Sequence, residues 1–264
     1  MHRVDRVREV PGRERQVRSV EQELGGTTAL VTGATSGIGR ATAYRLAELG
    51  SHVILTGRDL ARGEAAVAHI RGAGGKADFI AAELRGEAGA RELARAAVRV
   101  GGQVDILVNN AGVYPFAATQ EVIGEQFDAV YDINVRVPFF LVAELAPAMA
   151  ERGRGAIVNL STMVADFGMP GAALYGSSKA AIVLLTKAWA AEYGRAGVRV
   201  NAVSPGPTAT EGTAGFGDSL AGAAPAGRVA EPREIADAVA YLVSERASFV
   251  HGAVLPVDGG RLAV

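Results

Sequence analysis

Short apolar runs alternate along the chain with longer stretches of helical periodicity. Thr28-Ala29-Leu30-Val31-Thr32 precedes a helical pattern over 38–49, and His52-Val53-Ile54-Leu55-Thr56 follows it. Further strands are predicted at 77–82, 104–109, 156–160, 198–203 and 253–257, with helical stretches filling the gaps. Unbroken Val, Ile and Leu runs suit strands buried on both faces, and crossovers of this length bring the chain back for parallel pairing. The pattern predicts an α/β fold: a doubly wound parallel sheet of Rossmann type with about seven strands, in a single domain over 25–264.

Composition narrows the partners. Hydrophobic residues make up 49% of the 264 positions and charged residues 21%, which suits a packed core. Lys plus Arg number 27 against 28 for Asp plus Glu, so no strong overall field favours nucleic acid or an anionic membrane. A small-molecule substrate is the expected partner. The chain has no cysteine, which excludes disulfides, thiolate metal sites and a cysteine nucleophile, and fits a reducing compartment; cytoplasm is the expected location. His2, His52, His69 and His251 show no ligand spacing, so no metal is expected. No uninterrupted apolar run reaches the roughly 18 residues of a membrane span; Lys187 closes the best one, which contains Ile182-Val183-Leu184-Leu185.

Two segments read differently. Residues 1–24 mix Arg3, Arg6, Arg8, Arg13, Arg15 and Arg18 with Asp5, Glu9 and Glu14 and lack an apolar core, so they form an extension of the mobile-tail or docking-helix kind, not a secretory signal. Residues 212–227 are rich in Gly and Ala and suit a mobile segment.

Chemistry concentrates at two places. Thr32-Gly33-Ala34-Thr35-Ser36-Gly37-Ile38-Gly39 falls where the first strand turns into the first helix. There Gly33 permits the tight turn, Gly37 lets backbone approach a pyrophosphate, and Gly39 allows helix and strand to pack closely. The helix amino terminus offers free amides and a positive dipole end to an anion. Glycines at a strand end can also serve conformation alone. Second, Tyr175 and Lys179 lie at i and i+4 of a helical segment running to about residue 195. Such a pair shares one helix face, and an ammonium beside a phenol favours phenolate, lowering a pKa of about 10 toward neutrality. An isolated Tyr-x-x-x-Lys is more often a buried aromatic beside an unrelated Lys.

Together, the Gly-x-x-x-Gly-x-Gly turn and Tyr-x-x-x-Lys resemble the short-chain dehydrogenase/reductase family, and the resemblance runs from about residue 24 to 264. It implies that Gly33, Ser36, Gly37, Ile38 and Gly39 cradle a nicotinamide dinucleotide. Gly57 stands where NAD-preferring members carry an acid, and Arg58 follows it as in many NADP-preferring members, so NADP(H) is expected with NAD(H) as the alternative. Arg58 could instead pair with Asp59. Glu83 and Leu84 correspond to the adenine contact, Asn109 to the strand-tying and cofactor-lining Asn, and Pro205, Thr208 and Thr210 to the segment seating the carboxamide.

The same resemblance implies the catalytic set Asn134, Thr162, Tyr175 and Lys179. The catalytic serine of the family aligns with Thr162, with Ser161 beside it as reserve. Tyr175 passes the proton, Thr162 polarises the substrate oxygen, Lys179 lowers the Tyr175 pKa and holds the nicotinamide ribose, and Asn134 supports a proton relay. Residues 208–228 correspond to a substrate lid, and Tyr114, Phe116, Phe167, Met169 and Phe216 are candidates for an apolar pocket. The implied activity is hydride transfer between nicotinamide and a ketone or secondary alcohol. A 3-oxoacyl carrier-protein reductase, docking through Arg136, Arg152 and Arg154, is a narrower version, and an NADP(H)-sensing binding protein without turnover is the alternative of another class. A homotetramer or homodimer is also implied.

Overall fold

The computed structural model describes residues 22–213 and 224–264. The N-terminal extension up to residue 21, and the middle of the expected lid with Phe216, lie outside the described residues. Seven strands form one parallel sheet: β1 (Thr28–Val31), β2 (His52–Gly57), β3 (Lys76–Ala81), β4 (Ile106–Asn109), β5 (Gly155–Leu160), β6 (Val198–Pro205) and β7 (Val254–Val257). Their order is β3-β2-β1-β4-β5-β6-β7, every neighbouring pair parallel. The chain winds outward from β1 to β3 and then crosses to β4 on the other side of β1. That reversal leaves a crevice at the carboxyl ends of β1 and β4.

β4 begins two residues later than the apolar run suggests. Asp105 takes over the pairing at its start: the Thr28 amide donates to Asp105 Oδ2 at 3.0 Å, and the Asp105 amide donates to Thr28 O at 2.8 Å.

Helices cover both faces, as unbroken apolar strands require. The helices are α1 (Gly37–Glu48), α2 (Leu60–Gly72), α3 (Gly86–Gly101), α4 (Gly124–Tyr131), α5 (Val137–Glu151), α6 (Ala173–Tyr193) and α7 (Pro232–Val243). One core packs Leu46 of α1, Ile70 of α2 and Val239 of α7 against Val31, Leu55 and Val158. Leu24 is buried in it and bonds its amide to Leu49 O at 2.8 Å. The other core packs Leu93 of α3, Leu141 of α5 and Trp189 of α6 against Leu30, Leu107 and Ile157. Arg199 of β6 reaches the carboxyl end of α7, donating to the carbonyls of Leu242, Val243, Ser244 and Ala247. A guanidinium suits carbonyls left unpaired at a helix end.

A π turn over Asp132–Arg136 joins α4 to α5 in one continuous helix, Gly124–Glu151. That helix is long and apolar enough by composition to cross a membrane, although no uninterrupted apolar run has that length. Val137, Leu141, Val142, Leu145 and Met149 are buried against the sheet and α3, which is the role of a core helix.

Candidate active site

The glycine turn is tied to the end of β4. Thr32 Oγ1 accepts from the amides of Asn110 and Ala111, both at 3.0 Å, and Asn110 Nδ2 donates to Thr32 O at 2.8 Å and Gly33 O at 3.1 Å. Gly33 and Gly37 adopt φ of 63° and 50°, a left-handed region that L side chains rarely enter. Gly39 leaves no room for a side chain: a Cβ there would run into the Gly33 carbonyl and the Asn110 amide. Ser36 is the N-cap of α1, yet its hydroxyl makes no capping bond, and Ile38 packs partly on the first core. The site fits a dinucleotide here: no Cβ at Gly37, a helix start that its own N-cap residue leaves uncapped, and a Ser36 hydroxyl with no bond among the described residues.

Asn110 escaped the sequence reading, which drew only Asn109 from the Asn-Asn pair. Asn109 points between strands, donating to Asn159 Oδ1 at 2.8 Å, while Asn159 donates to Thr186 Oγ1 at 2.8 Å. Asn109 Oδ1 is buried without a partner among the described residues. Glu211 was also missed, as no local signal marks it: its carboxylate accepts from the Gly37 amide at 3.0 Å and from Arg40 at 2.8 Å, across 174 and 171 positions of sequence.

At the end of β2, Thr35 covers Gly57; a Cβ at 57 would lie 2.6 Å from the Thr35 methyl. A side chain at 57 would have to move Thr35 aside. Arg58 is exposed and pairs with no described residue, because Asp59 caps α2 through the Arg62 amide at 3.0 Å and pairs with the Arg62 guanidinium at 3.2 Å. Glu83 is exposed and bound to Arg85 at 2.9 Å. The Leu84 side chain is buried in the second core.

Tyr175 and Lys179 share one face of α6, as their spacing predicts. The segment forms a long helix because its apolar and small positions recur with helical period: Leu174, Ser178, Ile182, Thr186 and Trp189 are buried. Gly176 lets the helix lie against the Val164 carbonyl; a Cβ would sit 2.9 Å from that oxygen. Thr162 lies two residues past the end of β5 and is the N-cap of a short turn, Met163–Ala165. Its hydroxyl is near enough to the Tyr175 phenol to act on its pKa. Ser161 faces the other way, toward the Lys179 carbonyl at 3.5 Å. Successive residues leaving a strand point to opposite sides, and here that puts Thr162, not Ser161, beside the phenol.

The expected lowering of the Tyr175 pKa is not what the geometry produces. Burial pushes the phenol up to about 12; the Thr162 hydrogen bond pulls it partly back, and Tyr114 raises it further. Burial lowers Lys179 to about 8. Lys179 Nζ donates to Leu160 O at 2.7 Å, so its charge is directed at the end of β5 rather than at the phenol.

Asn134 sits in the π turn, a helical irregularity often found at functional positions. Its side chain clamps the loop after β4 to α6: Oδ1 accepts from the Val113 amide at 2.9 Å, and Nδ2 donates to Val113 O at 2.8 Å and Ser178 Oγ at 3.0 Å. Gly112 lies between Asn134 and Lys179; a Cβ there would be 3.2 Å from Asn134 Oδ1 and 3.4 Å from Lys179 Nζ.

Tyr114 and Phe116 flank Tyr175, both with ring centroids 6.1 Å from it. Phe167 and Met169 instead pack with Met163, Val164, Ala172 and Leu262 in a small satellite core. Beyond β6, Gly206 bonds to Val257 O at 3.0 Å and Thr208 is buried, with its amide lacking a partner among the described residues. The Thr210 hydroxyl shares a hydrogen bond with Thr213 at 3.1 Å, and its methyl would lie 3.1 Å from a Cβ on Gly37.

A dinucleotide cradle opening beside a Thr, Tyr and Lys group defines an oxidoreductase of the alcohol–carbonyl class, and the comparisons agree. The family model described as enoyl-(acyl carrier protein) reductase matches residues 33–261. Cyclopentanol dehydrogenase of Comamonas sp. is 38% identical over 240 residues, covering 89% of this chain and 96% of that protein. A solved short chain dehydrogenase/reductase family protein is 50% identical, with a TM-score of 0.86 over 92% of this chain and 100% of that one. A gluconate 5-dehydrogenase from Burkholderia cenocepacia, solved with NADP and tartrate, is 30% identical, with a TM-score of 0.87 over 93% of this chain and 99% of that one. The chain belongs to the short-chain dehydrogenase/reductase family.

Proposed function

We propose that the protein is an NADP(H)-dependent reductase of ketones, or in reverse a secondary-alcohol dehydrogenase, working through Thr162, Tyr175 and Lys179. The observation that carries this reading is the Thr162 hydroxyl close to the Tyr175 phenol, one helical turn from Lys179, whose Nζ borders Gly112 in the loop that also packs on Gly33 of the glycine turn. The nicotinamide, when bound, supplies or accepts the hydride. Thr162 donates a hydrogen bond to the substrate oxygen. Tyr175, protonated at neutral pH because burial holds its pKa up, delivers a proton to that oxygen as the alcohol forms. Lys179 holds the nicotinamide ribose and replaces the proton on Tyr175; Asn134 fixes α6 against the loop after β4.

Gly33, Ser36, Gly37, Ile38 and Gly39 would hold the pyrophosphate, the main chain at Leu84 and the Glu83 carboxylate the adenine, and Asn109 the inner wall. Pro205, Thr208 and Thr210 would seat the carboxamide, with the free Thr208 amide as donor. Preference for NADP over NAD is supported by Arg58, unpaired among the described residues, and by the Thr35 methyl filling the space an acid at 57 would need. Exposed Phe139 on α5 and Leu184 on α6 support a homotetramer or homodimer, and the cysteine-free composition supports a cytoplasmic location.

Carrier-protein docking gains no support from the three arginines. Arg136 pairs with Asp132, Arg152 donates to Val104 O, and both Arg152 and Arg154 lie within 4.0 Å of Asp105. The test is to mix the protein with NADPH or NADH and a panel of ketones, including an acetoacetyl thioester, and follow the reduced-nicotinamide absorbance. Turnover faster with NADPH supports the reading; tight NADPH binding with no turnover across a wide panel would leave a sensing protein instead.

A further inference from the structure

The first two helices of the fold are capped in different ways. α2 is capped by its own N-cap residue, Asp59, three positions before the Arg62 amide it binds. α1 has no acidic residue in its first turn, and its N-cap Ser36 makes no side-chain bond. A carboxylate fills that place nonetheless. Glu211, which follows the carboxamide-seating segment, accepts from the Gly37 amide through Oε2 at 3.0 Å and from Arg40 through Oε1 at 2.8 Å. The neighbouring Thr210 methyl packs on Gly37.

An anion hydrogen-bonded to the first amide of α1, with a guanidinium at its other oxygen, reproduces the contacts a phosphate makes at such a helix start. We propose that Glu211 is an internal stand-in for the cofactor pyrophosphate: it holds the phosphate seat of Gly37 and Arg40 while the dinucleotide is away and is displaced on binding, after which Arg40 pairs with the pyrophosphate. This rests on the reading of the glycine turn as a dinucleotide cradle. Both partners of the ion pair are substantially exposed, with side-chain accessibilities of 40% and 48%, so the contact is weak enough to be exchanged. The exchange needs only the Glu211 side chain to turn away. Its carboxyl is held below the usual range, first by the hydrogen bond from its own main-chain amide and then by Arg40, so the stand-in is anionic at neutral pH.

The contact then acts as a competitor in cofactor binding, and removing its charge should tighten NADPH. The experiment measures dissociation constants for NADPH and for adenosine 2′-monophosphate, which lacks the pyrophosphate, with the wild type, Glu211→Gln and Glu211→Ala. Both variants are expected to bind NADPH roughly two- to fivefold more tightly, the size of one exposed charge contact, with affinity for adenosine 2′-monophosphate unchanged. If NADPH affinity in both variants is unchanged or weaker, Glu211 supports the turn instead of competing for it, and the proposal is wrong. Equal tightening of both ligands would also overturn it, by showing a general charge effect. If the wild type bound no nicotinamide dinucleotide, the cradle reading itself would fall, and this inference with it.

Discussion

Lys179, on the same face of α6 as Tyr175, donates a 2.7 Å hydrogen bond to the carbonyl oxygen of Leu160, the last residue of β5. The ammonium is buried with no carboxylate against it among the described residues, and burial lowers its pKa from 10.5 to about 8. The unfolded chain keeps this proton up to about 10.5. Between about pH 8 and 10.5 the unfolded state therefore binds more protons, and stability contributed by this group rises with pH, by at most about 3 kcal/mol. Tyr175 acts in the opposite sense at higher pH: its folded pKa of about 12 lies above its ordinary 10, so stability falls as pH rises from 10 to 12. Urea unfolding of the wild type and Lys179→Met from pH 7 to 10 separates this effect from other titrations. The stability difference between the two should shrink or reverse as pH rises, and the variant should lose turnover while melting no lower than the wild type at pH 7.

Thr162 and Ser161 make opposite predictions. Thr162 is close enough to the phenol to lower its pKa, and Ser161 bonds main chain of α6. Thr162→Ala is expected to lower kcat about 100- to 1,000-fold, the usual cost of one donor to a developing oxyanion, while Thr162→Ser keeps most of the activity. Ser161→Ala should change kcat less than about threefold, since its lost bond is long and unconnected to the substrate. Steady-state kinetics of the three variants checks this; a larger loss from Ser161→Ala would exchange the roles.

Much of this was legible in the chain before any coordinates. Apolar runs separated by helical stretches marked all seven strands, the inner ones because parallel strands there are buried on both faces and edge β3 in spite of Asp78, and Tyr175 and Lys179 could be placed on one face because helical spacing is local. What remained hidden depends on distance. Glu211 meets Gly37 across 174 residues of sequence, and nothing near either marks the contact. The π turn that holds Asn134 forms where α4 runs into α5, and Tyr175 lies against Tyr114 and Phe116 from the loop after β4, so neither the widened turn nor the direction of the phenol shift could be read locally.

Cofactor choice turns on two neighbours at the end of β2. Arg58 has no partner among the described residues, so truncating it leaves no group stranded. Arg58→Ala should weaken NADPH binding roughly tenfold to a hundredfold, the range for a hydrogen bond to a charged group, and leave NADH binding unchanged. Gly57→Asp adds a second effect: its Cβ would lie 2.6 Å from the Thr35 methyl, so the new acid enters only by displacing Thr35. NADPH binding should weaken further than in Arg58→Ala. NADH should gain only when Thr35→Ser is added, because the smaller residue can swing its side chain clear. Titrations of both cofactors by nicotinamide fluorescence read each outcome.

Gly39 and Gly89 test whether a glycine is held by contact or merely tolerated. Both lie in helices with ordinary φ, so backbone freedom does not distinguish them. A methyl at 39 would strike the Gly33 carbonyl and the Asn110 amide, and the Gly33 carbonyl carbon would be 2.9 Å away. Two of these atoms are main chain in a turn already fixed by Asn110, so no rotamer change relieves the clash. Gly39→Ala should cost about 1–3 kcal/mol, as overpacking does, and NADPH binding should fall with it, because the turn that must shift is the phosphate cradle. At Gly89, in the first turn of α3, the one described atom outside the helix within 4 Å of an added Cβ is the Glu83 carbonyl oxygen at 3.6 Å, an ordinary contact. Gly89→Ala should therefore stabilise the protein by about 0.5–1 kcal/mol through helix propensity. Urea denaturation of the two variants against wild type measures both changes, and equal effects at 39 and 89 would show that the close packing of α1 on the turn does not constrain the fold.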